Sequence, residues 1–342
     1  MACMRYLILL FCALVISGCG SSEDLRVFYG NAFGTTYTVK CYSDFESAEL
    51  QGQVNHLVDQ VNASISTYDP KSLISRINRG DSAVVADLYF KEVLSLSKEV
   101  NKATYGFFDP TVGAIGNALG FGPQKFNQIP NDRLLDSLCQ FVGLELVSIS
   151  AVNGVVEKSN GVYLDFNAIG KGYGIDVIGR HLEKIGITDY LIEVGGEIRA
   201  KGQNRNKNKP WIIGIESPEV TQEGRSIDKV LAIYNQSLAT SGNYRKFRLD
   251  SVTGRKFVHT INPLTCRAEQ NTITSASVWA STCAEADAYA TAIMAMGVER
   301  ARNLIEERPE LTVYFTYHDE QYQPKWYATP NLLAQFKLND EM

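Results

Sequence analysis

Residues 165–174 read Asp165-Phe166-Asn167-Ala168-Ile169-Gly170-Lys171-Gly172-Tyr173-Gly174. Before and into this stretch Val162, Leu164 and Phe166 alternate with Tyr163 and Asp165, the period of two that a strand imposes. After it, Gly172 to Ile185 carries helical spacing. The stretch is thus expected to be a strand end at Asp165, a glycine-rich turn and a helix start. Val155 to Phe166 is expected to form a β-hairpin with Ser159-Asn160-Gly161 as its turn. A turn of this kind lets backbone N–H groups approach an anion, and a helix N-terminus favours negative charge. Lys171 adds a point charge suited to phosphate. Gly170, Gly172 and Gly174 do not have the spacing of a dinucleotide fingerprint, and Gly-x-x-x-x-Gly-Lys-Ser/Thr is absent. The plainer reading is a tight strand-to-helix turn with an exposed lysine.

Outward from this stretch, strands and helices interleave irregularly. Asn31 to Tyr42 alternates as a strand after a Gly-Thr-Thr turn. Gln51 to Ser66 and Lys91 to Thr104 have helical spacing. Tyr190 to Lys201 and Trp211 to Glu216 read as strands around a polar loop, with Lys229 to Ser237, Lys256 to Ile261 and Leu311 to Tyr317 as later strands. Thr282 to Met296 is the best-marked helix: Thr282-x-x-Glu285 is a capping box and Gly297 ends it. Several strands in succession argue for an α+β fold of mixed or largely antiparallel sheets with packed helices, not a doubly wound parallel sheet.

The chain has 342 residues, 45% of them hydrophobic, with 33 Lys+Arg against 38 Asp+Glu. That composition excludes a mainly disordered chain. A mildly acidic balance with no basic face argues against nucleic acid as a partner. It also means that an anionic ligand must be met by local donors or a metal. Residues 1–18 read as an export signal: Arg5 precedes an apolar run, Tyr6 to Ile16, too short to span a bilayer. The run leads into Ile16-Ser17-Gly18-Cys19, a bacterial lipobox in which the Cys19 thiol would accept a diacylglycerol. The chain is then expected to be lipid-anchored in the bacterial cell envelope, facing the periplasm from the inner membrane. Disulfides are permitted there. Cys266 and Cys283 are one possible pair, which spacing does not decide. With no Cys-x-x-Cys pair, a zinc or thioredoxin-like site is unsupported.

Four further groups of residues could carry chemistry. Asp287 and Thr291 stand at i and i+4 and share a helix face; a carboxylate and a hydroxyl there can hold a hard cation such as Mg²⁺. The alternative is an acidic residue placed for the helix dipole. Ser241-Gly242-Asn243-Tyr244-Arg245 is followed by His259-Thr260-Ile261-Asn262-Pro263-Leu264-Thr265, where a histidine at a strand end can accept a proton near neutral pH. A histidine hydrogen-bonded in a turn would look the same. Phe107-Phe108-Asp109 leads into Pro110-Thr111-Val112-Gly113, and aromatics beside glycines can sandwich a planar ring or simply fill a core. Tyr68 sits in the turn Ser66-Thr67-Tyr68-Asp69-Pro70.

Taken in order, these segments resemble the ApbE family, flavin transferases that take FAD and attach FMN to a protein Ser or Thr. The match begins at Gly34-Thr35-Thr36-Tyr37 and passes through the Tyr68 turn, Phe107 to Gly113, Asp165 to Gly174 and Glu193-Val194-Gly195-Gly196-Glu197. It continues through Ser241 to Arg245, His259 to Thr265 and Ala286 to Thr291. The resemblance implies an ApbE-like two-lobed single unit over residues 19–342. It implies FAD contacts from Phe33, Tyr68, Phe107, Phe108, Asp109, Asp165, Lys171 and Ile261. It implies Mg²⁺ held by Asp287, Thr291 and the carbonyl of Ala168. His259 is the expected proton acceptor, with Asp287 as the fallback, and exported or membrane redox proteins bearing an acceptor Ser or Thr are the expected partners. Competing readings are an FAD pyrophosphatase giving FMN and AMP, and a non-catalytic FAD-binding lipoprotein. Three positions depart from the family pattern: Phe33 stands for the usual Met, Asn262 for Asp and Cys266 for Gly.

Overall fold

In the computed structural model the chain is built on an eight-stranded sheet in which every neighbouring pair is antiparallel. The structure describes residues 23–124, 130–221, 224–243, 247–249, 256–268 and 271–340. The expected signal segment, Cys19, Tyr244 and Arg245 lie outside the described residues.

The strands are β1 (Asp24–Ala32), β2 (Thr35–Ser43), β3 (Val147–Ile149), β4 (Val156–Lys158), β5 (Tyr190–Val194), β6 (Glu197–Lys201) and β7 (Trp211–Thr221). They continue as β8 (Gly224–Ile233), β9 (Gln236–Gly242), β10 (Phe247–Leu249), β11 (Lys256–Val258), β12 (Ile273–Ala280), β13 (Thr312–His318) and β14 (Pro324–Ala328). The large sheet runs β1-β2-β5-β6-β9-β12-β13-β14, and β3-β4, β7-β8 and β10-β11 are separate two-stranded pairs. The helices are α1 (Ser47–Ile65), α2 (Leu73–Asn78), α3 (Leu88–Ala103), α4 (Gly113–Ala118), α5 (Asp132–Cys139), α6 (Gly170–Lys184), α7 (Cys283–Met296), α8 (Val298–Glu307) and α9 (Pro330–Asp340).

The alternation of side chains along each strand gives the sheet two cores. Tyr190, Ile192 and Val194 of β5 pack with Leu50, Val54 and Val58 of α1 and Ile175, Ile178 and Leu182 of α6. Leu191 points the other way, toward Trp211 and Ile213 of β7, Leu231 and Ile233 of β8 and Phe336 of α9. Each fully buried aliphatic there contributes roughly 1.5–3 kcal/mol. A third core joins α3, the 162–166 segment, α7 and strands β12 and β13 through Phe90, Leu164, Phe166, Ala288, Val278 and Phe315. Helix α7 is largely apolar and buried along most of its length, as a helix packed between several elements must be. Its expected capping box forms, with Thr282 and Glu285 bonding each other's backbone.

Helices α6 and α7 meet closely at Gly172. A Cβ at this position would lie 2.3 Å from the carbonyl oxygen of Cys283 and 2.9 Å from Cα of Ala284. Backbone on the far side cannot yield as a flexible side chain would. Gly172→Ala is therefore expected to destabilise the fold by about 3 kcal/mol through overpacking, measured as a fall in the midpoint of urea unfolding.

Several expected elements are corrected. The 155–166 hairpin does not form: Val156–Lys158 pairs instead with Val147–Ile149. Val162, Leu164 and Phe166 do alternate inward, but the segment is not a ladder strand. Its backbone is satisfied by the Asn78 side chain, which donates to the Leu164 carbonyl and accepts from the Leu164 amide, each at 2.8 Å. The Pro110 carbonyl takes the Asp165 amide. A side-chain amide thus replaces a partner strand. The 31–42 strand is the turn and second arm of a hairpin, with Phe33 and Gly34 at positive φ between β1 and β2. Residues 190–201 divide at Gly195-Gly196 into β5 and β6. Residues 229–237 divide near Asn235, at φ 48°, into β8 and β9, which belong to different sheets. Cys266 does not pair with Cys283. It forms a disulfide with Cys139, 127 residues away, while Cys283 is free and buried.

Candidate functional site

The turns at one side of the large sheet surround a cleft of about 1070 Å³. This is slightly above the usual range of small-molecule pockets, roughly 300–1,000 Å³, and leaves room for a dinucleotide. All the expected site residues within the described structure line it: Phe33, Tyr68, Phe107, Phe108, Asp109, Asp165, Ala168, Lys171, His259, Ile261, Asp287 and Thr291. Residues separated by more than 250 positions in sequence therefore share one wall-to-wall space.

The floor is made where α6 begins. In a continuous helix the Gly172 amide would bond the carbonyl of Ala168. Here it donates to Oδ2 of Asp287 at 3.1 Å, which leaves the Ala168 carbonyl without that helical partner. Asp287 and Thr291 sit one turn apart on α7, and the Thr291 hydroxyl lies 3.3 Å from the Ser241 hydroxyl. One carboxylate, one hydroxyl and one backbone carbonyl make a hard oxygen donor set. It suits a small divalent cation whose other positions go to water and phosphate oxygens. Among the described residues no group of three His, Cys, Asp or Glu side chains assembles into a metal cluster.

Two acidic residues that the sequence had not marked as site residues shape this floor. Glu197 is buried, holds the Lys171 ammonium at 2.6 Å through Oε1, and among the described residues has no hydrogen-bond partner at Oε2. Its signal was the Gly195-Gly196-Glu197 turn, which brings the start of β6 beneath α6. Asp176 is also buried. Its two oxygens accept the amides of Cys283 and Ala284 at 3.0 and 2.8 Å, and Arg199 pairs with it. It caps the exposed donors at the start of α7 and so fixes the helix that carries Asp287. Nothing local in the sequence announces this cap, because its partner amides lie 107 and 108 residues away.

Among the described residues, the floor sets two carboxyls, Glu197 and Asp287, against one cation, Lys171. Burial raises the Asp287 carboxyl above its ordinary value, and Lys171 opposes the rise. The Glu197 carboxyl is pushed up to about 7 by burial, with Lys171 opposing and Asp287 adding to the rise. The sign of the pH effect follows. The native value lies above the ordinary 4.5, so the folded state retains a proton that the unfolded chain has released. That contribution to stability is whole below about 4.5 and is lost as pH rises through about 7. Calorimetric melting without divalent metal is expected to show this fall, and Glu197→Gln should flatten it.

The walls carry the aromatics. Phe107 and Phe108 are buried beneath the cleft surface, and Tyr68 is 58% exposed at its rim, its hydroxyl 3.4 Å from the Phe121 carbonyl. The Phe121 ring meets His259 edge-on, with centroids 6.5 Å apart, and so helps orient the imidazole. Asp109 reaches the cleft but is committed to its own turn: one oxygen accepts from the amide and hydroxyl of Thr111 at 2.8 and 2.6 Å. Burial raises its carboxyl above the ordinary value, and so it does for Asp165. Asp165 accepts the Asn167 amide at 2.8 Å. It lies close to Gly113, where a Cβ would come within 2.9 Å of that of Asp165. Asn262 accepts the Leu264 amide at 3.0 Å, so the amide builds the turn that a carboxylate would build.

Comparison with known proteins agrees with this assembly. The ApbE family profile matches residues 33–315. A Vibrio cholerae protein named FAD:protein FMN transferase is 35% identical over 310 residues, covering 88% of this chain and 90% of the relative. A Haemophilus influenzae protein of the same name is 33% identical, covering 88% and 89%. The solved structure of the Vibrio cholerae flavin transferase ApbE superposes with a TM-score of 0.80 at 31% identity, covering 92% of this chain and 99% of that one. With its profile matched over most of its length and its cleft built from the same ordered segments, this chain belongs to the ApbE family.

Proposed function

We propose that this protein is an FAD:protein FMN transferase, moving FMN from FAD to a Ser or Thr hydroxyl of a target protein with release of AMP. The observation that carries the reading is the convergence of Asp287, Thr291, the Ala168 carbonyl, Lys171 and His259 on one dinucleotide-sized cleft, in a chain whose relatives bear that name.

The acceptor oxygen forms a bond to the FMN-side phosphorus, and the bond from that phosphorus to the AMP oxygen breaks, its electron pair leaving with AMP. His259 takes the proton of the attacking hydroxyl. Lys171 and the amides at the start of α6 hold phosphate oxygens. The aromatics Phe33, Tyr68, Phe107 and Phe108, with Ile261, hold the rings; Asp165 and Asp109 border them. Asp287, Thr291 and the Ala168 carbonyl would hold Mg²⁺. Among the described residues the floor sets two carboxyls against one cation, and a bound Mg²⁺ would supply positive charge that lets an anionic pyrophosphate approach it.

The test is to incubate the purified chain with FAD, with Mg²⁺ or EDTA, and with or without a Thr-bearing acceptor peptide, following AMP, FMN and peptide mass. Mg²⁺-dependent AMP with a flavinylated peptide is expected. AMP with free FMN alone identifies a pyrophosphatase, and FAD binding without AMP identifies a flavin carrier.

The lipobox supports lipidation at Cys19 and attachment to the cell envelope, with exported or membrane redox proteins as acceptors. Cys19→Ser is expected to move the protein from the membrane pellet to the soluble fraction on cell fractionation. Among the described residues no helix is long and apolar enough to cross a membrane.

A further inference from the structure

We infer that the Cys139–Cys266 disulfide is a positioning cross-link that holds one wall of the cleft in its FAD-binding arrangement; this rests on the reading that the cleft takes FAD. The wall has three parts. Gly113 and Gly116 of α4 and His259, Thr260, Ile261 and Pro263 of the loop after β11 (residues 259–268) face the cleft. Behind them a small core joins Ile115 of α4, Leu119 just past its end, Leu135 of α5, and Ile261, Cys266 and Ala268 of the loop. The disulfide ties the last residue of α5 to this loop.

The tie matters because the rest of the attachment is slight. Among the residues of α5 only Leu135 is fully buried. Leu138 packs half-buried against the same core, and Arg267 adds ion pairs to Asp136 at 2.6 Å and to Asp132 at 3.5 Å, both of these carboxylates well exposed. Exposed pairs contribute little. The backbone at Cys266 supplies a second observation. Its φ is 57°, the left-handed region that glycine adopts without steric cost. A turn closed by the Cys266 amide on the Asn262 carbonyl at 2.8 Å would be served better by glycine. The side chain found there instead makes the covalent bond to α5. The cysteine is thus accounted for by the cross-link and not by the local turn.

With the bond intact, the loop is held in its binding arrangement. With the bond broken, that arrangement becomes one of several, and apparent affinity falls by the fraction of time it is occupied. If that fraction is about one tenth, the dissociation constant rises about tenfold.

The test compares the full chain in detergent, oxidised and after reduction by a phosphine, with a Cys139→Ala, Cys266→Gly double variant. Glycine suits the backbone at 266, so the variant removes the cross-link without adding strain. FAD affinity is read by flavin fluorescence and fold by circular dichroism. The oxidised chain should yield a tryptic pair linking residues 139 and 266. The reduced chain and the variant should keep their secondary structure, bind FAD about tenfold more weakly, and show the loss in KM for FAD with kcat at saturation within about threefold. Affinity within about twofold of the oxidised chain in both forms would overturn the inference, as would absence of the linked peptide. An oxidised chain that binds FAD but releases no AMP removes the transferase reading and leaves the affinity comparison decisive. One that binds no FAD removes both.

Discussion

Asp287→Asn is expected to abolish FMN transfer, with AMP release falling by at least roughly 10³-fold, about 4 kcal/mol of transition-state stabilisation. Asp287 is the single carboxylate in the proposed oxygen donor set, and it also receives the Gly172 amide. Asparagine keeps the shape but brings no negative charge to a divalent cation, and half of its amide is a donor. The Thr291 hydroxyl and Ala168 carbonyl then remain as neutral donors, too weak to hold the cation against water. Stability should move the other way. Asp287 is a buried carboxylate beside Glu197, with Lys171 as their shared cation. Removing one of two crowded negative charges relieves a desolvation cost, so the variant should melt at or above the wild-type temperature in the absence of metal. A variant that is inactive and no less stable separates a ligand from a scaffold residue. Turnover within tenfold of wild type, followed as AMP by chromatography, would sink the metal assignment.

His259→Ala is expected to lower flavinylation of an acceptor peptide by roughly 10²- to 10³-fold, the range for loss of a general base, while FAD affinity stays within about threefold. The imidazole borders the cleft and meets the edge of Phe121, with Tyr68 beyond, at the rim from which an acceptor polypeptide must enter. It does not belong to the Lys171–Glu197–Asp287 floor where the phosphates are expected. Its removal should therefore affect the attack and spare the binding. An equal loss in FAD affinity and turnover would assign His259 to ligand binding and return the base role to Asp287.

What could be read directly from the chain follows one physical rule: interactions that close within a turn or two are written in adjacent residues. The Thr282-x-x-Glu285 capping box set the start of α7, and the i, i+4 spacing put Asp287 and Thr291 on one face of it. The glycine turn after Asp165 announced a helix from Gly172, two residues past the observed start of α6 at Gly170. The successive strands announced an α+β fold of mixed or largely antiparallel sheets. The ordered set of short motifs, carried by resemblance, named the ligand, and the cleft contains every proposed contact that lies in the described residues.

Tertiary structure alone decided the rest, because those contacts join groups whose separation no local pattern records. The 162–166 segment alternates like a strand, yet Asn78, 86 residues away, satisfies it. Cys266 chose Cys139 over the nearer Cys283 because α5 lies behind the loop while Cys283 is sealed at the start of α7. Asp176 caps that start, and Glu197 holds Lys171, only because sheet register and helix packing bring β6, α6 and α7 together. The sequence by itself determined where the well-marked helices lie and which side chains can do the chemistry. The packed sheet decided which of those side chains meet, since burial makes an unpaired charge or amide costly and so selects partners by space, not by order along the chain.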